Sequence, residues 1–381
     1  MSIYLDYNAS APIDPRVLDC MIDVYRNCVG NPDSRTHDYG ERARLTVEHA
    51  RQQVASLLGV NPSEVFFTSG ATESCNIAIQ GLEVYAASSG KRHILTSAIE
   101  HKAVLETAKA MQRRGIEAEF VMPSQTGCVK AQEMLSRVRD DTLLVSLIHV
   151  NNETGSIQPV KDVGKSLYER GIRFHVDATQ SCGKLVDEIR ALKYDMLSFS
   201  AHKFGGPQGV GGLVLRRKRY RLPPVKSIMY GGQQEHKLRP GTVPVALVAG
   251  CGKACELAES EYKSNEQKSL KTKREIMQLL EQSGLSYQIN GDPEHSVSNT
   301  LNIRFCGISS EALMIATRGI CAISNGSACT TSDYSPSYVL LAMGLSAKES
   351  NESVRISWGA LDNNSSILDA FSNLLNIVRT M

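Results

Sequence analysis

The sequence is poor in aromatic residues, 6% of 381, with one tryptophan, Trp358. It also carries almost no net charge: 42 basic residues against 40 acidic ones give +2. Such a balance provides no long-range attraction for nucleic acid or an anionic membrane. No apolar run approaches the ~18 residues that a membrane span needs. The first ten residues, MSIYLDYNAS, hold an acid at Asp6 and have neither a basic start nor an apolar core. No secretory signal is therefore expected, and the expected compartment is the cytoplasm. The ten cysteines include no Cys-x-x-Cys pair, so a zinc or iron–sulfur cage has no support and no metal is expected. Nor do ten cysteines in so long a chain form a disulfide framework; a reducing compartment is the simpler reading. Cys251 and Cys255, four apart in an apolar helical pattern, are expected in the core.

What the sequence has is an ordinary globular composition, 42% hydrophobic and 22% charged, and enough length for two or three domains. Asp14-Pro15 reads as a helix start, and a second helix is expected over 39–58, stopped by Gly59. Short apolar runs follow at 65–68, 93–96, 119–122, 143–149, 173–176, 196–200 and 212–215. Helical patterns separate several of them, near 73–84, 101–113, 130–138 and 159–169. This alternation predicts a doubly wound, mainly parallel sheet of seven strands. From about Pro244 the pattern changes to a long helix reaching Gln282, then to strands and helices typical of a smaller α+β unit. The expected division is a large domain over 14–255 and a small one formed by 1–13 and 256–381.

The residues that packing does not explain fall just after the strands, where ligands bind in such sheets. Ser69-Gly70-Ala71-Thr72-Glu73 opens a helix with small residues and a hydroxyl, a composition suited to an anion at a helix N-terminus. The plainer alternative is an ordinary cap by Ser69 or Thr72 with Glu73. No lysine follows as in a P-loop, so a nucleoside triphosphate is not indicated. Asp177 ends an apolar strand and needs a partner: either a cap or internal salt bridge, or a protonated ring nitrogen. Lys203 lies between a strand and five glycines in the eight positions 205–212. A lysine held in a partly dry pocket has a lowered pKa and can form a Schiff base. An anion site, an acid and a lysine at strand ends match the three handles of pyridoxal phosphate. Cys329 sits in Ser324-Asn325-Gly326-Ser327-Ala328-Cys329-Thr330-Thr331-Ser332-Asp333, too small and polar to pack and therefore expected to be a loop, where a thiol is accessible.

With these residues in place, the sequence closely resembles the cysteine desulfurases of the NifS/IscS type, fold-type I pyridoxal-phosphate enzymes of aspartate aminotransferase-like architecture. The resemblance rests on Tyr4-Leu5-Asp6-Tyr7-Asn8-Ala9, Gly30-Asn31-Pro32, Ser69 to Ser74, Glu100-His101, His149 to Glu153, His175 to Gln180, Ser200-Ala201-His202-Lys203, Arg239 to Thr242, Gly326 to Cys329 and Val354-Arg355. It implies that Lys203 holds pyridoxal 5'-phosphate and moves the Cα proton. Asp177 would pair with the ring nitrogen, His101 would stack on the ring, and Gln180 would reach the phenolic oxygen. Ala71, Thr72, Ser200 and His202 would line the phosphate site, with Thr242 entering from the second subunit of a homodimer. Asn152, also beside the cofactor, and Arg355 would hold the substrate carboxylate. Cys329 would take the sulfur of L-cysteine as a persulfide, leave L-alanine, and pass the sulfur to a protein acceptor. A selenocysteine lyase or another C–S lyase on the same fold, or a housekeeping sulfur donor for iron–sulfur clusters or tRNA thiolation, is the alternative.

The wording around Cys329 is similar to the subgroup with a longer, mobile cysteine loop. Three positions depart from the family pattern: Gln208 and Lys237, where lysine and glycine are common, and Asn325, where serine is common. The chain ends soon after its last expected helix, at Met381, which weakens the expectation of a housekeeping iron–sulfur scaffold partner. A specialised sulfur donor, as in DNA phosphorothioation systems, is expected instead, with an iron–sulfur protein as one acceptor. Arg216-Arg217-Lys218-Arg219-Tyr220-Arg221 has five basic residues in six positions. It is expected to be a solvated hairpin at the sheet edge, not a nucleic-acid contact.

Overall fold

The computed structural model describes residues 2–325 and 335–381. Its strands are β1 (Ile3–Tyr4), β2 (Val65–Thr68), β3 (His93–Ser97), β4 (Glu117–Val121), β5 (Thr142–Ile148), β6 (Phe174–Asp177), β7 (Met196–Ser200), β8 (Gly211–Leu215), β9 (Tyr287–Ile289), β10 (Thr300–Phe305), β11 (Cys321–Ala322) and β12 (Ser353–Ser357). Seven of them form one sheet in the order β2-β8-β7-β6-β5-β3-β4. The steps from β4 to β7 are parallel, and β8 is antiparallel to both its neighbours. Helices cover both faces. β2, β3, β5, β6, β7 and β8 are accordingly buried at every residue, the expected state of strands covered on both sides.

The local signals read from the sequence operate as expected. Asp14 accepts a hydrogen bond from the Arg16 amide, and Pro15 starts the helix Pro15–Asn27. Gly59, at φ 64°, closes the helix Asp38–Leu58. One expected helix is split: 73–84 becomes Ala71–Gln80 and Glu83–Ser89. The break is at Gly81, where a Cβ would lie 2.5 Å from Val225 Cγ1 and 2.6 Å from the Lys226 carbonyl. The segment 225–226 crosses too closely for any side chain there.

The basic run becomes a tight turn. Arg219 and Tyr220 both have positive φ, 47° and 67°, and Lys218 bridges Arg221. Arg216 pairs with Glu64 at 3.7 Å and Lys218 with Asp195 at 3.0 Å, so two of its charges are tied to the fold. Lys237, one of the departures from the family pattern, has φ 66°. That left-handed backbone accounts for glycine being common there.

The helix Val245–Gln282 spans 38 residues and belongs to two cores. Val248, Cys251 and Cys255 pack with the large-sheet core, while Ile276 and Leu280 pack with Leu5, Phe305 and Trp358. The latter cluster lies on the three-stranded antiparallel sheet β12-β10-β9. The nine described cysteines are unpaired, and the described residues include no helix long and apolar enough to cross a membrane.

One contact links sheet and site. Gly211 begins β8 between Thr68 at the end of β2 and Ser200 at the end of β7. A Cβ on Gly211 would lie 2.4 Å from the Phe199 carbonyl and 2.8 Å from Gly70 Cα. Gly211→Val is expected to destabilise the fold by about 1–3 kcal/mol through overpacking, measured by denaturant unfolding. An unchanged midpoint would show that β8 can move away from the 69–72 turn.

Candidate active site

The carboxyl ends of the strands bring the expected residues together. Thr68, Ser97, Ile148, Asp177 and Ser200 end β2, β3, β5, β6 and β7. Register pairs Asp177 with Ile148 on one side and with Ser198 on the other.

After β2, Gly70 takes φ 154° and ψ 178°, a backbone open essentially only to glycine. The helix Ala71–Gln80 follows, and no side chain caps it. The ordinary-cap alternative therefore fails for both Ser69 and Thr72. Glu73 Oε2 instead accepts from the Ser69 amide at 2.6 Å, and Glu73 Oε1 pairs with Arg239 Nε at 3.0 Å. The uncapped amides at Ala71 and Thr72 could hold an anion. Ser200 lies beside the same turn: its Oγ is 3.4 Å from where a Gly70 Cβ would lie. His202, two residues on, contacts Ser10 Oγ through Nδ1 at 3.2 Å. Burial, with the Lys203 charge second, lowers its pKa to about 4. Gln208, another departure from the family pattern, also bonds Ser10 Oγ, at 3.1 Å.

After β6, Asp177 is 2% exposed and one of its oxygens, Oδ1, accepts from the Thr179 amide at 3.0 Å and from the Thr179 hydroxyl. No salt bridge reaches it among the described residues, so the cap alternative accounts for one oxygen only. Gln180 donates to the Asn8 carbonyl at 2.9 Å. Lys203 donates to the carbonyls of Asn8 at 2.7 Å and Ala9 at 2.8 Å. The segment 8–9 thus gathers both side chains. After β3, His101 Nδ1 accepts from the Ala103 amide at 3.1 Å, which puts the ring proton of the neutral form on Nε2. Burial lowers the His101 pKa, so the ring is uncharged near neutral pH.

Arg355 comes from β12 and is 3% exposed. Its Nη1 donates to the Asn152 carbonyl at 2.9 Å and its Nη2 pairs with Asp6 at 2.6 Å. Two of the five donors of the fork are thereby used, and Nε has no partner. Asn152 Oδ1 and Gln180 Oε1 are likewise buried and unpartnered. Such atoms are rare in folded proteins, and each calls for a polar partner. Together with the amides at Ala71 and Thr72, the available Asp177 oxygen and Lys203, they fit pyridoxal phosphate. Thr242 is exposed, three residues beyond Arg239, and is not gathered with the others. Cys329 lies outside the described residues. The chain on either side of it is anchored here. Ser324 pairs with Arg355 across two backbone hydrogen bonds of 2.5 and 3.2 Å. Tyr338 donates to the Glu100 carbonyl at 2.7 Å, and Ser337 donates to Glu153 at 2.5 Å. His101, Asn152 and Ser335 line one cavity of about 450 Å³.

Sequence reasoning assigned no role to Asp6, Asn8 or Glu100, although all three lie in the motifs. The carbonyl of Asn8 acts as backbone and leaves no trace in residue type. Glu100 was detectable only as an acid in an apolar neighbourhood. Its Oε1 accepts from Ser97 Oγ at 2.6 Å and from the Ile148 amide at 2.9 Å, while Oε2 is buried without a partner. Burial pushes its pKa up to about 8, so it is protonated at neutral pH.

The Aminotransferase class-V family model matches residues 3–371. The chain is 42% identical over 362 residues to "Cysteine desulfurase IscS" of Photorhabdus laumondii, covering 94% of this chain and 88% of that protein. It superposes on a structure described as "NIFS-like protein" with a TM-score of 0.90, 36% identity and full coverage of both chains. On DndA from Streptomyces lividans the TM-score is 0.81 at 41% identity, covering 93% of this chain and 99% of that one.

A pH prediction follows from Glu100. Its folded pKa, about 8, lies above the ordinary carboxyl value, so its contribution is complete at low pH and is lost as pH rises toward 8. Glu100→Gln, which imitates the protonated acid, is expected to remove this component. Between pH 5 and 8 the variant should gain about 2–4 kcal/mol relative to wild type in denaturant unfolding. Parallel stability curves would mean that Glu100 is ionised in the fold.

Proposed function

Because the chain belongs to the Aminotransferase class-V family and is a pyridoxal-phosphate-dependent cysteine desulfurase, we propose that Lys203 holds the cofactor and Cys329 receives the sulfur. The observation that carries this reading is that the Asn8 and Ala9 carbonyls gather Gln180 and Lys203, while Asp177 and the uncapped helix Ala71–Gln80 sit at strand ends of the same sheet.

Bound pyridoxal phosphate supplies an electron sink beside the substrate's Cα. The protein's own residues supply the rest. The amides of Ala71 and Thr72, with Ser200 and His202, would bind the phosphate; Asp177 would offer the oxygen that Thr179 leaves available to the ring nitrogen. His101, uncharged and pinned through Nδ1, would stack on the ring without adding a competing charge. Gln180 keeps a second N–H beyond the one given to Asn8, available to the phenolic oxygen. Lys203 must give up the two carbonyls of Asn8 and Ala9, and one proton, before its nitrogen can accept the proton of Cα. Arg355 and Asn152 bind the substrate carboxylate; the Asp6 pair fixes the guanidinium in place.

The sulfur step balances without an added oxidant. The Cys329 sulfur attacks the substrate sulfur, a new S–S bond forms, and the Cβ–S bond breaks. Its electron pair remains on the three-carbon fragment, which takes a proton at Cβ and leaves as alanine. Cysteine and one thiol thus become alanine and one persulfide. Anchoring of Ser324 on Arg355 and of Tyr338 on Glu100 supports a route for Cys329 to this pocket.

Two further readings belong to the same proposal. Thr242 is exposed, which suits completion of the phosphate site of a second copy in a homodimer. The acceptor is a protein; the likeness to DndA supports the phosphorothioation route expected from the sequence. Transfer of labelled sulfur from the loaded enzyme to candidate acceptors reads this directly: preference for an iron–sulfur scaffold over phosphorothioation proteins would overturn that route.

Two variants test the central roles. Mass spectrometry after L-cysteine is expected to show one added sulfur atom on Cys329, absent in Cys329→Ser. Alanine formed without that adduct would remove Cys329 from its role. Arg355→Lys keeps the charge but loses the fork, and should raise KM for cysteine about tenfold or more. A change confined to kcat would contradict carboxylate binding.

A further inference from the structure

One short segment, 234–241, grips both sides of the turn that carries the Ala71 and Thr72 amides. β2 leads into that turn and the helix Ala71–Gln80 leaves it. On the strand side, Glu235 closes on β2, which lies at the edge of the large sheet. The Glu235 carboxylate accepts from the Phe67 amide at 2.8 Å and from Arg51 Nη1 and Nη2 at 2.9 and 2.7 Å. Arg51 Nη1 also donates to the Val65 carbonyl at 2.7 Å, and the pair is buried. On the helix side, Arg239 Nε pairs with Glu73 Oε1 at 3.0 Å, and Glu73 Oε2 accepts from the Ser69 amide at 2.6 Å.

The path between the two grips is strained. Glu235, His236 and Lys237 have φ of 44°, 55° and 66°, three consecutive left-handed residues without a glycine. Each is unfavourable for a residue with a side chain, and such a run persists only where its surroundings fix it. They do so here. Glu235 is held by Arg51 and Phe67, Leu238 is buried with Phe66, and the Gly241 amide donates to Gln234 Oε1 at 3.0 Å. The left-handed turn thus carries the chain from the edge of β2 to Glu73.

Glu73 also sets an electrostatic problem. It is the acid of the helix's first turn. A carboxylate there suits the helix dipole but repels a phosphate bound at the same amides. Arg239 answers its charge, and neither side chain is freely solvated, with 23% and 13% exposure for Arg239 and Glu73.

We propose that Arg239 is a positioning residue of the phosphate site: it fixes Glu73 on the Ser69 amide and cancels the charge that this acid would set against the phosphate. This rests on the reading of the Ala71 and Thr72 amides as the place of the cofactor's phosphate.

The test compares binding of pyridoxal 5'-phosphate and of pyridoxal, which lacks the phosphate, to the full-length protein stripped of cofactor, followed by visible absorbance. Arg239→Met should weaken binding of pyridoxal 5'-phosphate about tenfold and leave that of pyridoxal within about twofold. Adding Glu73→Gln to Arg239→Met should recover most of the loss, because the glutamine keeps an acceptor for Ser69 without the charge. Equal losses for the two ligands would overturn the proposal, by showing that Arg239 supports the fold alone. Unchanged binding of both, or a double variant as weak as the single one, would overturn it as well. Arg239→Gln makes the same comparison should the Met variant not fold. If the wild type binds pyridoxal as tightly as pyridoxal 5'-phosphate, the reading of the phosphate site fails first, and the two failures are told apart.

Discussion

Everything in the site depends on the carboxyl ends of a parallel ladder being held in register. Ile148, Asp177 and Ser198 are neighbours across β5, β6 and β7. The chain leaving each strand must therefore turn above the same edge. β8 extends this edge by an unusual device. Running antiparallel, it begins with Gly211 between the ends of β2 and β7, so the turn at Gly70 and the Ser200–Lys203 turn meet over one glycine. The fold places backbone amides, an acid and an amine around a shared space, and chemistry follows from which side chains occupy the turns.

Electrostatics then decides which of those side chains are charged. The interior around Asp177 contains several groups that could compete with it, and burial silences them. Glu100 is held neutral by burial, with no partner on its Oε2. His175, bonded to Ser146 Oγ at 2.8 Å and Ser198 Oγ at 2.9 Å, has its pKa lowered to about 4 by burial. His101 is lowered by the same cause. What remains is a sparse set of charges: Asp177 against Lys203 and Arg355. Desolvation keeps an isolated acid or imidazole uncharged more effectively than any single hydrogen bond keeps it charged. A site with few charges is one in which each has a long reach.

Much of this was legible in the sequence, for identifiable reasons. The strands were visible because they are buried on both faces and read as apolar runs. Lys203 and Asp177 stood out because acids and amines at the ends of such runs have no packing explanation. The split helix at Gly81 was not legible, since its cause is the remote segment 225–226. The positive φ of Lys237 was hidden for the same reason, because a side chain's identity says nothing of the turn that forces it. Asn8 escaped because its carbonyl, common to every residue, makes the contacts. Cys329 was singled out by its polar surroundings and lies outside the described residues.

The most direct measurement of the account is to identify which lysine carries the cofactor. Borohydride reduction of the holoenzyme fixes the cofactor to its lysine, and peptide mapping then locates it. The account predicts one modified lysine, Lys203. Modification of any other lysine in its place would contradict it.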